Sequence, residues 1–291
     1  QDRLPAGSIY NRLMDRLRVL AIQSGEWGPL RQVAAGLDAA VHDLAARRAG
    51  LPLFRYLDPA AGGEIRAYAS GIGPEAPARV AAAALEAGHA AFKLKVGFGK
   101  ETDLASLKAI RSAIGDAALM IDANQGWDLE TGLELISIYA EHELTWVEEP
   151  LRADRPIREW RELAENISVP IAAGENCGER EEFEAMMTVG ALGYVQPDVA
   201  KWGGVSGCMA VARAAPAHGV VYCPHFLGGG IGLLASAHLL AAQAGPGMLE
   251  IDTNPNGLRD RLAGDLLRPR HGLIRLTDAP GIGIAPDHLF R

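Results

Sequence analysis

The sequence lacks the features that mark membrane, secreted and nucleic-acid-binding proteins. It has no stretch of about 18 or more apolar residues, and its start, QDRLPAGSIYNRL, lacks the basic-then-apolar pattern of a signal peptide. The 28 Lys and Arg residues are scattered among 36 Asp and Glu residues, with a formal net charge of -8 and no basic run. We therefore expect a cytoplasmic protein with neither a membrane nor a nucleic-acid partner.

Cysteine is also scarce. Cys177, Cys208 and Cys223 have neither a CxxC nor a zinc-finger spacing, so we predict small buried thiols and no disulfide frame or structural zinc. What the chain does have is 291 residues, 48% of them hydrophobic. This length and composition suffice for one large core, or for a core with a small additional domain.

Short β-type runs alternate with amphipathic segments from about residue 65 onward, which is typical of parallel βα units. We predict eight strands, at residues 65–70, 91–96, 119–123, 145–149, 171–174, 194–196, 220–224 and 248–251. Segments between them, such as TDLASLKAIRSAIG, place apolar residues three or four positions apart, as helices do. Eight such units close most economically into a (β/α) barrel, so the predicted fold class is α/β.

The two ends of the chain differ from this repeat. Within residues 1–60, GSIYNRLMDRLRVL and LRQVAAGLDAAVHDLAARRAGLPLFRYL predict helices separated by Gly and Trp. Residues 253–291 are rich in Pro and Gly and contain one short β-type run, LIRL. We therefore divide the chain into a helical element at 1–60, a barrel at 61–252 and a C-terminal segment at 253–291.

Polar residues follow nearly every predicted strand from the second to the eighth. The carboxyl ends of all strands in a barrel open on one face, so these side chains should converge. One carboxylate at a strand end is more often a loop cap or a surface ion pair, but coincidence at seven strand ends is a poor explanation. The residues are Lys93 and Lys95, Asp122 with Asn124, Glu148 with Glu149, Glu175 with Asn176, Asp198 with Lys201, His225, and Glu250.

Three of these carboxylates, Asp122, Glu148 and Glu175, end consecutive predicted strands. Oxygen ligands suit Mg²⁺, whose remaining coordination positions can hold substrate and water. Three clustered carboxylates without a cation would repel one another and favour protonation. The pattern therefore predicts one divalent cation as the cofactor.

Basic groups are expected on two sides of this cluster. Lys93 and Lys95 alternate around one apolar residue, so both should point into the barrel. Two neighbouring ammonium groups near a cation lower each other's pKa, so that one can act as a base. His225 lies on the strand after Asp198, whose carboxylate can fix the imidazole tautomer and favour its protonated form. A substrate would then lie between two bases.

Seven motifs carry a resemblance to a known family. AFKLKVG, MIDANQGW, WVEEPL, AAGENCG, VQPDVAKWGG, YCPHF and LEID occur in this order on successive predicted strands. Over about residues 65–252 the chain resembles the mandelate racemase subgroup of the enolase superfamily. The resemblance implies a modified (β/α)7β TIM-type barrel with a partial α+β capping domain from both terminal segments. The muconate-lactonizing subgroup carries a lysine on the sixth strand where this chain has Asp198.

The same resemblance implies roles for individual residues. Asp122, Glu148 and Glu175 would bind Mg²⁺, Lys95 would be the base on one face of the substrate, and Lys93 would lie near its carboxylate. Asp198 and His225 would form a dyad on the other face. Glu250, if protonated, would donate a hydrogen bond to the substrate carboxylate. We assign substrate contacts to Asn124 and Lys201.

One departure concerns the N-terminus. Family members begin with a three-stranded antiparallel sheet whose loops close over the substrate, whereas residues 1–60 resemble the helical part that follows it. We therefore expect no such sheet in these residues. The closing segment GIGIAPDHLF resembles the family's but stops early.

The predicted function is Mg²⁺-dependent removal of the proton next to the carboxylate of a small substrate. A metal-stabilised enediolate forms, and dehydration of an acid sugar or small hydroxy acid follows. The alternative is a racemase or epimerase that uses the same two bases. A catalytically silent barrel protein is a further, less favoured alternative: loss of Lys95, Asp122, Glu148, Glu175 or His225 would have supported it and none is lost, but the missing N-terminal sheet keeps it open. A Schiff-base aldolase would need a lone Lys without the carboxylates. We expect a homo-oligomer; the sequence decides neither the substrate nor its stereochemistry.

Overall fold

The computed structural model describes residues 8–284, so the two ends of the predicted terminal segments, residues 1–7 and 285–291, lie outside it. The helices are α1 (Ser8–Ser24), α2 (Trp27–Arg48), α3 (Leu53–Leu57), α4 (Pro77–Glu86), α5 (Lys100–Ile114), α6 (Leu129–Tyr139), α7 (Ile157–Asn166), α8 (Arg180–Thr188), α9 (Gly204–Ala214), α10 (Gly230–Gln243) and α11 (Gly257–Leu262). The strands are β1 (Glu64–Ile72), β2 (Ala91–Lys95), β3 (Ala118–Asp122), β4 (Leu144–Glu148), β5 (Ile171–Ala173), β6 (Tyr194–Val195), β7 (Val221–Tyr222), β8 (Met248–Asp252) and β9 (Leu273–Arg275). Short 3₁₀ helices span Ala140–His142, Ala215–His218 and Gly264–Leu267.

The first eight strands form a parallel sheet in the order β7-β6-β5-β4-β3-β2-β1-β8. One helix from α4 to α10 connects each strand to the next, so the predicted (β/α)7β barrel is confirmed. The eight predicted strands are all present, although β6 and β7 have only two residues each. The predicted run LIRL forms β9, which pairs antiparallel with β1.

Side chains that point into the barrel form two layers. Successive residues of a strand alternate between its two faces, so residues two positions apart share the interior. We call the first set the lower layer; its packed members are Tyr68, Ala91, Met120, Trp146, Ala172 and Cys223. The upper layer lies two residues further along the strands and comprises Ser70, Lys93, Asp122, Glu148, Gln196, His225 and Glu250. The step from one layer to the next changes the interior from apolar to polar.

The larger apolar core lies between the outside of the sheet and the helices. Helix α5 illustrates its construction, since Leu107, Ile110 and Ile114 recur at helical spacing and are all buried. Each such side chain contributes roughly 1.5–3 kcal/mol through burial. The helices thereby hold the strands, and with them the upper layer, in position.

The two N-terminal helices are attached to the barrel through Asp38 of α2. This buried carboxylate accepts hydrogen bonds from the backbone N–H of Tyr10 in α1, at 3.1 Å, and of Ser206 in α9, at 2.9 Å. The predicted helical segment up to residue 57 is interrupted after α2. Gly50 adopts a φ of +68°, and Pro52 precedes α3, so the chain turns there.

The C-terminal segment returns to these helices. The backbone of Gly281 bonds with Leu51 at 2.9 Å and with Leu53 at 2.7 Å, and Arg47 of α2 donates to the carbonyl of Ile284. All three cysteines are free; Cys208 and Cys223 are buried, as predicted, whereas Cys177 is only half-buried. Among the helices of residues 8–284, none has the length and apolar character needed to cross a membrane.

Candidate active site

Lys93 and Lys95 at the end of β2 both contact carboxylates. The Nζ atom of Lys93 contacts Glu148 Oε1, lies 2.7 Å from Glu250 Oε1 and 3.6 Å from Asp122 Oδ2. Lys95 Nζ lies 2.5 Å from Asp122 Oδ2, and its side chain remains partly exposed at the mouth of the barrel. Each lysine therefore reaches the carboxylates at the ends of neighbouring strands.

The expected lowering of lysine pKa values is wrong for Lys93. Burial alone would lower the pKa of Lys93, but the negative charges of Glu148 and Glu250 outweigh burial and raise it well above its ordinary value. The predicted lowering rested on repulsion from Lys95 and from a nearby cation, and these carboxylates oppose it. The charged form of Lys93 is therefore favoured.

Asp122 and Glu148 end the adjacent strands β3 and β4, where they are paired in register. Asp122 accepts a hydrogen bond from the backbone N–H of Asn124 at 2.8 Å. Burial acts to raise its pKa, but Lys93 and Lys95 lower it below the ordinary value. For Glu148, burial dominates and raises the pKa to about 8, despite the nearby ammonium group of Lys93.

Glu175, the third predicted ligand, follows β5 and points toward the other side of the site. Its Oε1 atom lies 3.1 Å from Lys201 Nζ, and its Oε2 atom lies 3.0 Å from His225 Nε2. Within residues 8–284, no three His, Cys, Asp or Glu side chains are grouped closely in the arrangement of a metal site. Asp122 and Glu148 contact Lys93 together, and Glu175 would have to turn toward them to join a shared cation.

The chemistry of this donor set nevertheless fits a hard cation. Six carboxyl groups outnumber four cationic groups, and two of the six, Glu148 and Glu149, have pKa values raised to about 8 and about 7. The carboxylates are Asp122, Glu148, Glu149, Glu175, Asp198 and Glu250, and the cationic groups are Lys93, Lys95, Lys201 and His225. Carboxylate oxygens are the ligands that Mg²⁺ prefers, and a nearby divalent cation would favour the ionised form of those two carboxyl groups.

Asp198 and His225 form a hydrogen-bonded pair beyond the ends of β6 and β7. The two residues form an isolated parallel bridge, and His225 Nδ1 donates to Asp198 Oδ2 at 2.8 Å. Asp198 is held in turn by the backbone N–H groups of Ala200 and Lys201. Burial tends to lower the pKa of His225, but Glu250, Asp198 and Glu175 raise it to about 9. The imidazole is therefore protonated, with Nδ1 held by Asp198.

Glu250 of β8 accepts hydrogen bonds from three sides. Ser70 Oγ donates to its Oε1 atom at 2.5 Å, Lys93 Nζ lies 2.7 Å from the same oxygen, and the N–H of Phe226 donates to Oε2 at 3.2 Å. Burial acts to raise its pKa, but Lys93 and His225 lower it to about 2. Glu250 is therefore ionised and accepts hydrogen bonds, which corrects the expectation of a protonated donor.

The two residues assigned to substrate contacts lie at the rim. Asn124 adopts a φ of +45°, a conformation that Asn tolerates better than most residues, and its side-chain amide donates to Asp122 at 3.3 Å. Lys201 is 39% exposed along its side chain and bonds with Glu175. Both therefore border the carboxylates and remain accessible from solvent.

The family assignment follows from sequence comparison. A family model described as enolase C-terminal domain-like matches residues 76–289. The chain belongs to the enolase superfamily. Among solved structures, a mandelate racemase/muconate lactonizing enzyme from Bordetella bronchiseptica is 50% identical, with a TM-score of 0.93 over 97% of this chain and 78% of that chain. A mandelate racemase/muconate lactonizing protein from Paracoccus denitrificans, complexed with magnesium, is 28% identical, with a TM-score of 0.83 over 99% of this chain and 80% of that one.

Relatives within the superfamily are enzymes of several kinds. A D-galactarolactone cycloisomerase from Agrobacterium fabrum is 30% identical over 95% of this chain and 75% of its own length. An arabinonate dehydratase from Saccharolobus solfataricus is 30% identical over 93% of this chain and 74% of its own length. A D-Ala-D/L-Ala epimerase from Cytophaga hutchinsonii is 28% identical over 86% of this chain and 69% of its own length. This chain is accordingly an enzyme of the superfamily, and both dehydration and epimerisation occur among its relatives.

Three members of the site were not singled out from the sequence, namely Ser70, Trp146 and Gln196, and Glu149 was expected at the strand ends without a role. Trp146 and Gln196 donate to Glu148, Ser70 donates to Glu250, and Asn176 donates to Glu149. Burial raises the pKa of Glu149 to about 7. A usable signal existed for Gln196, since a polar amide within an apolar strand has to find a buried partner.

Proposed function

We propose that the enzyme removes the proton next to a substrate carboxylate and then expels a β-hydroxyl, which dehydrates an acid sugar or small hydroxy acid. One observation carries this proposal: Lys95 ends β2, the Asp198–His225 pair lies beyond β6 and β7, and both reach the same carboxylate-lined mouth. Two proton-transfer groups on separate strands suit a substrate bound between them. The dehydratase among the relatives supports the same reaction class.

We assign the divalent cation to Asp122, Glu148 and Glu175, with Glu175 turned away from Lys201 and His225. Mg²⁺ bound there would supply positive charge that makes the proton next to a carboxylate easier to remove. The excess of carboxylates over cationic groups supports this assignment. So does the magnesium in the Paracoccus denitrificans relative.

Each protein residue has one task in the proposed reaction. Lys95, in its neutral form, accepts the proton from the carbon next to the carboxylate. Lys93 stays charged and stabilises the enediolate oxygens, and Asn124 and Lys201 bind the substrate. His225 donates its Nε2 proton to the β-hydroxyl, which leaves as water while Asp198 holds Nδ1. The remaining enol then converts to a 2-oxo acid.

The second candidate function is racemisation or epimerisation. The same pair of groups would serve it, because His225 would return a proton to the opposite face of the enediolate instead of to a leaving hydroxyl. The epimerase among the relatives favours this alternative for substrates without a β-hydroxyl. The two functions share every residue named above and differ in the product.

A substrate screen separates them. The enzyme is incubated with Mg²⁺ and a panel of acid sugars and small hydroxy acids, while 2-oxo acid formation and optical rotation are recorded together. Dehydration yields a 2-oxo acid, whereas epimerisation changes rotation without one. His218→Asn is the matched control for His225→Asn, because His218 is exposed and precedes β7, whereas His225 follows that strand. If no acid in the panel reacts, or if His225→Asn leaves turnover unchanged, the proposed function is wrong.

A further inference from the structure

The two oxygens of Glu148 have different kinds of partner. Oε1 contacts the charged Lys93, which also lies 3.6 Å from Asp122. Oε2 accepts hydrogen bonds from two uncharged donors, Gln196 Nε2 at 2.7 Å and Trp146 Nε1 at 3.2 Å. Because both donors are buried, they face no competition from water. Glu148 is thus fixed through Oε2 by two uncharged donors, while its Oε1 shares the ammonium group of Lys93 with Asp122.

Gln196 reaches Glu148 across an intervening strand. Gln196 follows β6 and Glu148 ends β4, so its side chain has to pass over β5. The inward residues along its path are Ala172 of β5, which pairs with Glu148, and Gly174, just after the end of β5. A Cβ atom at Gly174 would lie 2.9 Å from the backbone nitrogen of Gln196. The strand that the amide crosses therefore carries the two smallest inward residues available, and larger ones would obstruct the contact.

We propose that Gln196, assisted by Trp146, is a positioning residue that holds Glu148 as a single-oxygen ligand of the divalent cation. The inference rests on the proposed function, since it presupposes that Glu148 binds the cation. Two hydrogen bonds on Oε2 keep the carboxylate from rotating, so that Oε1 is the oxygen offered to the ion beside Asp122. Groups that orient a metal ligand in this way usually change metal affinity when they are removed.

The test uses Mn²⁺ as the probe, with binding followed by the electron paramagnetic resonance signal of the free ion. Gln196→Met keeps the side-chain length and removes the donor, and we expect Mn²⁺ affinity to fall about 10- to 100-fold. Gln196→Asn keeps the amide but shortens its reach, so it should show a similar loss. Trp146→Phe removes the longer of the two hydrogen bonds and should weaken binding less.

Val195→Ala is the matched control for a structural effect. Val195 precedes Gln196, is equally buried and packs in the outer core, so its truncation disturbs the same strand without touching Glu148. Unchanged affinity in this variant, together with loss in both Gln196 variants, supports the proposal. Equal losses in Val195→Ala and Gln196→Met would overturn it.

Glu148→Gln separates this inference from the proposed function. If Glu148→Gln loses Mn²⁺ while both Gln196 variants bind it as the wild type does, the positioning role is wrong and the metal assignment stands. If Glu148→Gln binds Mn²⁺ normally, or the wild type does not bind it, the metal assignment fails and the positioning role fails with it.

Discussion

The two layers inside the barrel are equally buried but chemically opposite. The lower layer is at most 5% exposed at each member, and Lys93, Asp122 and Glu148 of the upper layer are 0% exposed. The lower layer packs aromatic and aliphatic groups, such as Trp146 against Tyr68 with ring centroids 5.4 Å apart. A step of two residues along β4, from Trp146 to Glu148, changes an apolar contact into a charged one.

This difference separates stability from chemistry within one set of strands. Apolar burial stabilises the fold directly, whereas buried ion pairs often stabilise no better than apolar residues of similar volume. In the upper layer, Ser70, Glu250, Lys93, Glu148 and Gln196 form a continuous line of contacts across the barrel. We infer that this network serves catalysis more than stability, while the layer beneath it keeps the strands in register.

The largest effect should come from separating proton removal from turnover. His225→Asn should lower kcat by a factor of up to about 10⁴, because no group then protonates the leaving hydroxyl. Lys95 should still exchange the proton next to the carboxylate with solvent deuterium, in a substrate of matching configuration. Lys95→Met should show the converse for the opposite configuration above about pH 9, where His225 is neutral. Proton NMR of an active acid in deuterium oxide measures both.

The two-base arrangement has a clear contrary outcome. If both variants lose exchange with every configuration, while they remain folded and still bind Mn²⁺, Lys95 and His225 act on one face or in a single relay. In that case the upper layer would contain one catalytic face and not two.

The next largest effect concerns the carboxylate behind the histidine. Asp198→Asn removes the charge that holds His225 Nδ1 at 2.8 Å. We expect kcat to fall about 10²- to 10⁴-fold with little change in the unfolding midpoint, since the amide retains the shape of the side chain. Kinetics and thermal unfolding of the same preparation test this prediction. Unchanged turnover would remove Asp198 from the proposed mechanism.

A substitution in the lower layer should give the reverse result. Met120→Ala deletes a fully buried side chain beneath Asp122, and the cavity should cost about 2–5 kcal/mol of unfolding free energy. Turnover per folded molecule should change far less than in Asp198→Asn. Urea unfolding and active-site titration measure the two quantities, with the half-exposed Leu85→Ala as a control that loses less. A loss of kcat comparable to that of Asp198→Asn would show that the layers are not separable.

The sequence predicted the barrel because its strands are short apolar runs that alternate with helices. It also predicted which side chains converge, since strand ends in a barrel share one face. The spacing of Lys93 and Lys95 correctly placed both on the interior. The break after α2 was missed, because Gly50 and Pro52 interrupt a segment whose apolar spacing is otherwise helical.

Contacts that depend on register between distant strands could not be predicted. Gln196 can reach Glu148 only because β5, the strand that lies between theirs, carries small residues at the crossing point. The direction of the Lys93 pKa likewise depends on Glu250, which is 157 positions away in sequence but 2.7 Å away in space. Glu175 was expected beside Asp122 and Glu148, yet its contacts are Lys201 and His225, because opposite charges attract it to that side.

The smallest predicted effect is a difference in how stability depends on pH between a histidine outside both layers, His238, and the histidine of the upper layer, His225. His238 of α10 accepts a hydrogen bond from the backbone N–H of Phe54 at 3.2 Å, and its burial lowers its pKa to about 4. A folded pKa below the unfolded value of about 6.5 contributes stability above pH 6.5 that is lost as the pH falls toward 4. His225 has the opposite sign, since its pKa is raised to about 9 and its contribution to stability is lost only at alkaline pH.

When the pH falls from 7 to 5, protonation of His238 should therefore lower the free energy of unfolding by about 2 kcal/mol. His238→Asn keeps an acceptor near the Phe54 N–H and cannot titrate, so its stability should fall less over this range than that of the wild type or of the exposed control His271→Asn. Urea unfolding at both pH values measures the difference, and equal slopes for all three proteins would mean that acid acts elsewhere, including on the charged upper layer.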